Sequence, residues 1–148
     1  MKQVIIKDIY KKHIVHRVGR KFDVVAIDAC DEYYWLPCPS RLFRKKEIVK
    51  KIKEVMTSKG TLTVNLFVRP KADLNDWEKV LKLHRSVFPT CLTVNSWTTN
   101  SVLICVPYKV EETPESKRLY ENRLTEVISA LNLSDSLRGR ARLSFVSE

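Results

Sequence analysis

The sequence predicts an α+β fold with a mostly antiparallel sheet. From about residue 61 the hydropathy pattern switches between a period of two and a helical period in the order β-α-β-β-α-β, which is the ferredoxin-like order. An N-terminal hairpin and a basic helix are expected to precede that unit. The chain has 148 residues, 44% of them hydrophobic and 30% charged, an ordinary globular composition. Residues 1–148 are therefore expected to form one domain with a core of its own.

The elements follow in order. Residues 13–28 read as two β-rich runs, HIVHRV and FDVVAID, around a short turn containing Gly19, which suggests a hairpin. Residues 33–39, YYWLPCP, hold two prolines and are expected at an edge or in an irregular segment. Ser40 is placed to cap a helix running to about Ser58, with Ile48, Val49, Ile52, Val55 and Met56 on its buried stripe and Lys59-Gly60 ending it. Thr61 to Arg69 alternates as a strand.

Asp73 or Asn75 then opens a helix with Leu74, Trp77, Val80, Leu81, His84, Val87 and Phe88 on one stripe, and Pro89 stops it. Residues 91–98 and 101–109 read as a strand pair. Thr113-Pro114-Glu115 is a helix start: a capping hydroxyl, a proline in the first turn and an acid at the positive end of the dipole. Tyr120, Leu124, Val127, Ile128 and Leu131 are expected to be buried on that helix. ARLSFVS closes the chain as a final strand.

Net charge is +10, from 27 Lys and Arg against 17 Asp and Glu. Residues 1–60 carry 15 basic and 7 acidic side chains, so most of the excess lies there. Such a field draws polyanions. The expected function is therefore that of a non-enzymatic nucleic-acid-binding protein, for single-stranded DNA or RNA, without a cofactor. Phosphate contacts are expected from Arg41, Arg44, Lys45, Lys46, Lys50 and Lys53 on the basic helix. Arg138, Arg140 and Arg142 form a further basic patch. The competing reading of such a charge run is a solvated helix face.

Stacking is expected from Tyr33, Tyr34 and Trp35, which directly precede the helix. Alternation in the later strands puts Phe67, Arg69 and Asn65 on one sheet face, with Trp97, Asn95 and Arg142 assigned beside them. Two aromatics among amides and guanidinium groups suit unpaired bases. Alternatively, residues 1–60 cover this face and the two rings are core. The aromatic-rich K/R-G-F/Y strand motif of RNA-recognition-motif proteins is absent, so no family is assigned.

A second reading is a metal-dependent nuclease or phosphoryl-transfer enzyme in which Asp28, Asp31 and Glu32 hold the ion at a strand end. A third is an accessory subunit of a larger nucleic-acid-processing complex. No zinc spacing, P-loop or dinucleotide fingerprint is present. Cys30, Cys38, Cys91 and Cys105 form no C-x-x-C pair and are expected to be reduced. With no apolar run long enough to cross a bilayer and no apolar leader in MKQVIIKDIYKK, the expected location is cytoplasmic. The scarcity of glycine and glutamine, with abundant Lys, Arg and Glu, leans towards a thermophilic composition.

Overall fold

The computed structural model describes residues 3–6, 21–31, 38–67, 74–95, 100–132 and 141–147. Its elements are β1 (Gln3–Ile6), β2 (Phe22–Ile27), a 3-10 turn (Arg41–Arg44), α1 (Lys46–Glu54), β3 (Met56–Phe67), α2 (Leu74–Arg85), β4 (Thr90–Asn95), β5 (Asn100–Val106), α3 (Pro114–Ala130) and β6 (Arg142–Phe145). The six strands form one sheet in the order β1-β2-β3-β5-β4-β6. β1, β2 and β3 are parallel, while the β3–β5, β5–β4 and β4–β6 pairs are antiparallel.

The mixed α+β class stands, but the sheet is not ferredoxin-like. In that arrangement the last strand of the unit returns to lie beside its first. Here β2 already occupies that side of β3, so β6 pairs with β4 at the far edge instead. The expected hairpin at residues 13–28 is corrected in the same way. β2 is flanked on both sides by parallel partners, and residues 13–20 lie outside the described residues. β2, α1 and β3 make a βαβ crossover.

Register divides the sheet into two faces. Val25 and Ile27 lie opposite Leu62 and Val64, and Leu62 and Val64 lie opposite Cys105 and Leu103. All six are buried, and they pack with Val49 and Ile52 of α1 and with Val80 and Phe88 on and after α2. The alternation predicted for Leu62, Val64 and Leu66 therefore holds. The second face carries Leu92, Val94 and Ile104 towards α3.

The basic helix ends earlier than predicted. α1 stops at Glu54, and Lys59-Gly60 lies inside β3. β3 begins pairing at Met56, opposite Phe22, then skips to Thr61 opposite Val24. Gly60 sits in this irregularity. A Cβ there would lie 3.0 Å from the Phe22 carbonyl oxygen and 3.1 Å from that of Thr57, tighter than ordinary contact, so glycine eases the close backbone approach. Ahead of the helix, at the start of the 3-10 turn, the Ser40 side chain makes no capping bond. Asp31 Oδ2 accepts the Arg41 backbone N–H at 2.7 Å instead, so a residue ten positions away does the capping.

On α3 the cap is as expected: Thr113 Oγ1 accepts from the Ser116 backbone N–H at 3.2 Å. Its buried stripe is narrower than expected. Ile128 is buried and Tyr120 and Leu124 are half-buried, but Val127 and Leu131 are 52% and 64% exposed. The expectation of reduced cysteines is also corrected. Cys91 and Cys105 stand directly opposite each other on β4 and β5, with Cα atoms 4.1 Å apart, and are joined as a disulfide. Cys30 and Cys38 form a second one. Period-two patterning says nothing about cross-strand register, and register is what brings Cys91 to Cys105.

His84 is fully buried in the α2 stripe. Its Nδ1–H donates to the Val80 carbonyl at 2.8 Å, and its Nε2 has no partner. Burial holds its pKa below the ordinary value, outweighing the Val80 bond. The unfolded chain binds this proton more readily than the folded one. Stability is thus full above about pH 6.5 and declines as pH falls from there towards the lowered native pKa. Denaturant midpoints measured across pH 7.5 to 5 should fall, and His84→Leu should flatten that decline. At neutral pH, Leu62→Ala should cost about 2–5 kcal/mol. Leu131→Ala, on an exposed position, should stay within about 0.5 kcal/mol by the same measurement.

Candidate functional site

β2 runs as FDVVAI and delivers Asp28 at its carboxyl end, exposed to solvent. β3 lies parallel beside it, with Ile27 opposite Val64. The next residue of β3, Asn65, therefore stands next to Asp28. Asn65 Nδ2 donates to Asp28 Oδ1 at 2.9 Å. The chain then turns back over the same edge. The Ser40 N–H donates to the Ala29 carbonyl at 2.8 Å, and the Phe67 N–H donates to the Cys38 carbonyl at 3.3 Å. The Cys30–Cys38 disulfide closes this return.

Asp31 completes the edge. Besides its bond to the Arg41 N–H, its carboxylate lies 3.5 Å from Arg41 Nε. An exposed ion pair is worth at most about 1 kcal/mol, so its effect is chiefly to fix where the 3-10 turn begins. Among the described residues, the carboxyl edge of β2 and β3 thus presents one solvent-facing carboxylate, Asp28, steadied by an amide, with a second carboxylate committed to structure. Sequence patterning alone missed Asn65 as the partner of Asp28. Asp28 follows the apolar run of β2 and Asn65 lies within the alternating run of β3, but no local signal says that the two runs are neighbours.

The residues expected to contact nucleic acid do not assemble into one surface among the described residues. Arg41 is held by Asp31. Arg44 Nε donates to the Pro39 carbonyl at 2.8 Å. Lys53 Nζ donates to the Val87 carbonyl at 2.6 Å and lies 5.6 Å from the centre of the Phe88 ring, so it ties α1 to the end of α2. Lys45, Lys46 and Lys50 are exposed.

The proposed stacking face is overturned by register. Asn65 lies opposite Val102, which lies opposite Val94, so Asn65 shares the α3 face. Asn95 lies opposite Ser101 and Arg142, and Ser101 lies opposite Leu66, so Asn95 and Arg142 belong to the other face. Phe67 is half-buried and bonded through its backbone to Cys38. Glu32, Tyr33, Tyr34, Trp35, Arg69, Trp97, Arg138 and Arg140 lie outside the described residues. The metal-enzyme alternative fares no better. No group of three or more His, Cys, Asp or Glu side chains able to hold an ion occurs among the described residues, and Asp31 is engaged with Arg41. No helix among them is long and apolar enough to cross a membrane.

No protein-family model and no curated protein matches the sequence. Among solved structures, the fold is similar to that of human methyltransferase-like protein 13 in complex with SAH, at a TM-score of 0.58 and 22% identity. The match covers 84% of this chain and 52% of that one, so this chain spans about half the length of the protein it resembles. The expectation of a nucleic-acid binder, with its nuclease and accessory-subunit alternatives, is corrected accordingly: the fold is similar to that of a methyltransferase-like protein, and among the described residues the surface that expectation needed is not assembled.

Proposed function

We propose that this chain takes part in methyl transfer from S-adenosylmethionine, contributing the side of the site where the methyl group meets its acceptor. The Asp28–Asn65 bond carries this reading: it lies across the carboxyl ends of two parallel strands. Open α/β sheets bind ligands just outside those ends. The fold likeness to a protein solved with SAH adds support. SAH, S-adenosylhomocysteine, is what remains of S-adenosylmethionine once its methyl group has left.

The residues present fit such a group at one end. An exposed carboxylate complements a sulfonium charge and accepts hydrogen bonds from an acceptor amine or hydroxyl. They do not supply the rest of the grip. The chain has three glycines, Gly19, Gly60 and Gly139, too far apart for a glycine-rich turn, and Gly60 is used where β2 approaches β3. When bound, the cofactor supplies an electrophilic methyl carbon. Asp28 then orients the acceptor and takes up its proton, and the Asn65 amide keeps that carboxylate in one position. The Cys30–Cys38 link and the Asp31–Arg41 pair anchor the returning chain beside them.

The test is calorimetric titration of the chain with S-adenosylhomocysteine, together with transfer of labelled methyl from S-adenosylmethionine to acceptors in a native extract. Weak but saturable binding is expected, because the grip is partial. Asp28→Ala should slow methyl transfer about tenfold, on the order of 1.4 kcal/mol in the barrier, with an unchanged melting temperature. Asn65→Ala should have a smaller effect. Absence of both saturable binding and methyl transfer would sink the proposal.

A further inference from the structure

The face of the sheet covered by α3 holds a cavity of about 310 Å³. Leu92, Val94 and Ile104 form its floor, and Leu124 and Val127 of α3 form its roof. Tyr108, Tyr120 and Arg123 line it from α3 and the segment after β5, and Thr61 and Thr90 add hydroxyls from the sheet. None of Asp28, Asp31, Arg41 and Asn65 lines it. Its volume reaches the range of small-molecule sites, which begins at about 300 Å³.

Two features argue that the cavity is a site rather than loose packing. The first is its division of chemistry. Aliphatic side chains line most of the interior, and removing apolar surface from water there favours apolar guests. The groups able to donate are the Tyr108 and Tyr120 phenols, the Arg123 guanidinium and the hydroxyls of Thr61 and Thr90, of which Thr90 Oγ1 already accepts the Val110 N–H. The second is that Tyr108 and Arg123 both act on Tyr120. Burial pushes the Tyr120 hydroxyl pKa up, Tyr108 pushes it further, and Arg123 pulls it back. Tyr108 and Arg123 are thus each within electrostatic reach of Tyr120, and all three line the same cavity. A guanidinium with hydroxyl donors in the same cavity suits a carboxylate.

We propose that this cavity binds an amphipathic carboxylate, its aliphatic chain on Leu92, Val94 and Ile104 and its carboxylate at Arg123 and Tyr120. The site is separate from the Asp28 edge and does not depend on the methyl-transfer proposal.

Decanoate is the probe, titrated into the full chain by calorimetry, with decanol and acetate as comparators. Saturable 1:1 binding of decanoate is expected, with decanol at least about tenfold weaker and acetate without effect. Arg123→Gln, at an exposed position, should weaken decanoate about tenfold. Val127→Trp, which fills the cavity from its half-open roof, should abolish binding. Circular dichroism checks that both variants are folded. No saturable binding overturns the proposal. Equal binding by both variants also overturns it, because adsorption to the net positive surface then explains the signal. Decanol binding as tightly as decanoate overturns the carboxylate assignment.

Discussion

The parallel pairing of β2 with β3 is the constraint on which the rest of the structure depends. It places Val25 and Ile27 against Leu62 and Val64, and so forms the centre of the core. It requires α1 as the crossover between two strands that run the same way. It draws the two backbones together at Gly60, where a Cβ would crowd the Phe22 and Thr57 carbonyls. It also occupies the side of β3 that a ferredoxin-like sheet gives to its last strand, which sends β6 to the far edge. The Asp28–Asn65 contact is a further consequence, since only parallel neighbours bring two carboxyl ends to one place.

The two faces of that sheet differ in how they are closed. α1 and α2 cover one face with side chains that are almost wholly buried. α3 covers the other more sparsely, burying Ile128 but leaving Val127 and Leu131 in solvent. Close packing on the first face leaves little room for a ligand, as expected of protein interiors. The incompletely closed second face and the polar carboxyl edge are where binding chemistry is available. The two candidate sites of this protein lie in these places.

Basic charge has a different part in the structure from the one its abundance suggests. Lys53 joins α1 to the end of α2, and Arg44 holds the Pro39 carbonyl. Arg85 donates to the carbonyls of Val146, Phe88 and Pro89, fastening α2 to the chain after β6. A cation bonded to a backbone carbonyl is less available to a phosphate, and its position is set by the fold. Charge counting along the chain cannot distinguish these residues from Lys45, Lys46 and Lys50, which are exposed on the same helix.

The sequence by itself determined the elements that depend on near neighbours. The β-α-β-β-α-β succession after residue 61, the Thr113 cap and the alternation of Leu62, Val64 and Leu66 follow from local sterics, capping bonds and hydrophobic periodicity; the second helix ends at Arg85, ahead of the expected stop at Pro89. Asp28 was also legible as a carboxylate at a strand end. Tertiary structure alone decided what depends on partners distant in sequence: the parallel β1–β2–β3 ladder, the Asp31 cap, the Cys91–Cys105 pair and the opposite faces of Asn65 and Asn95. The physical reason is that period-two alternation leaves strand order, direction and register open, since any pairing that buries the same apolar face satisfies it. Those three choices come from the joint burial of whole elements, and they placed Asn65 beside Asp28.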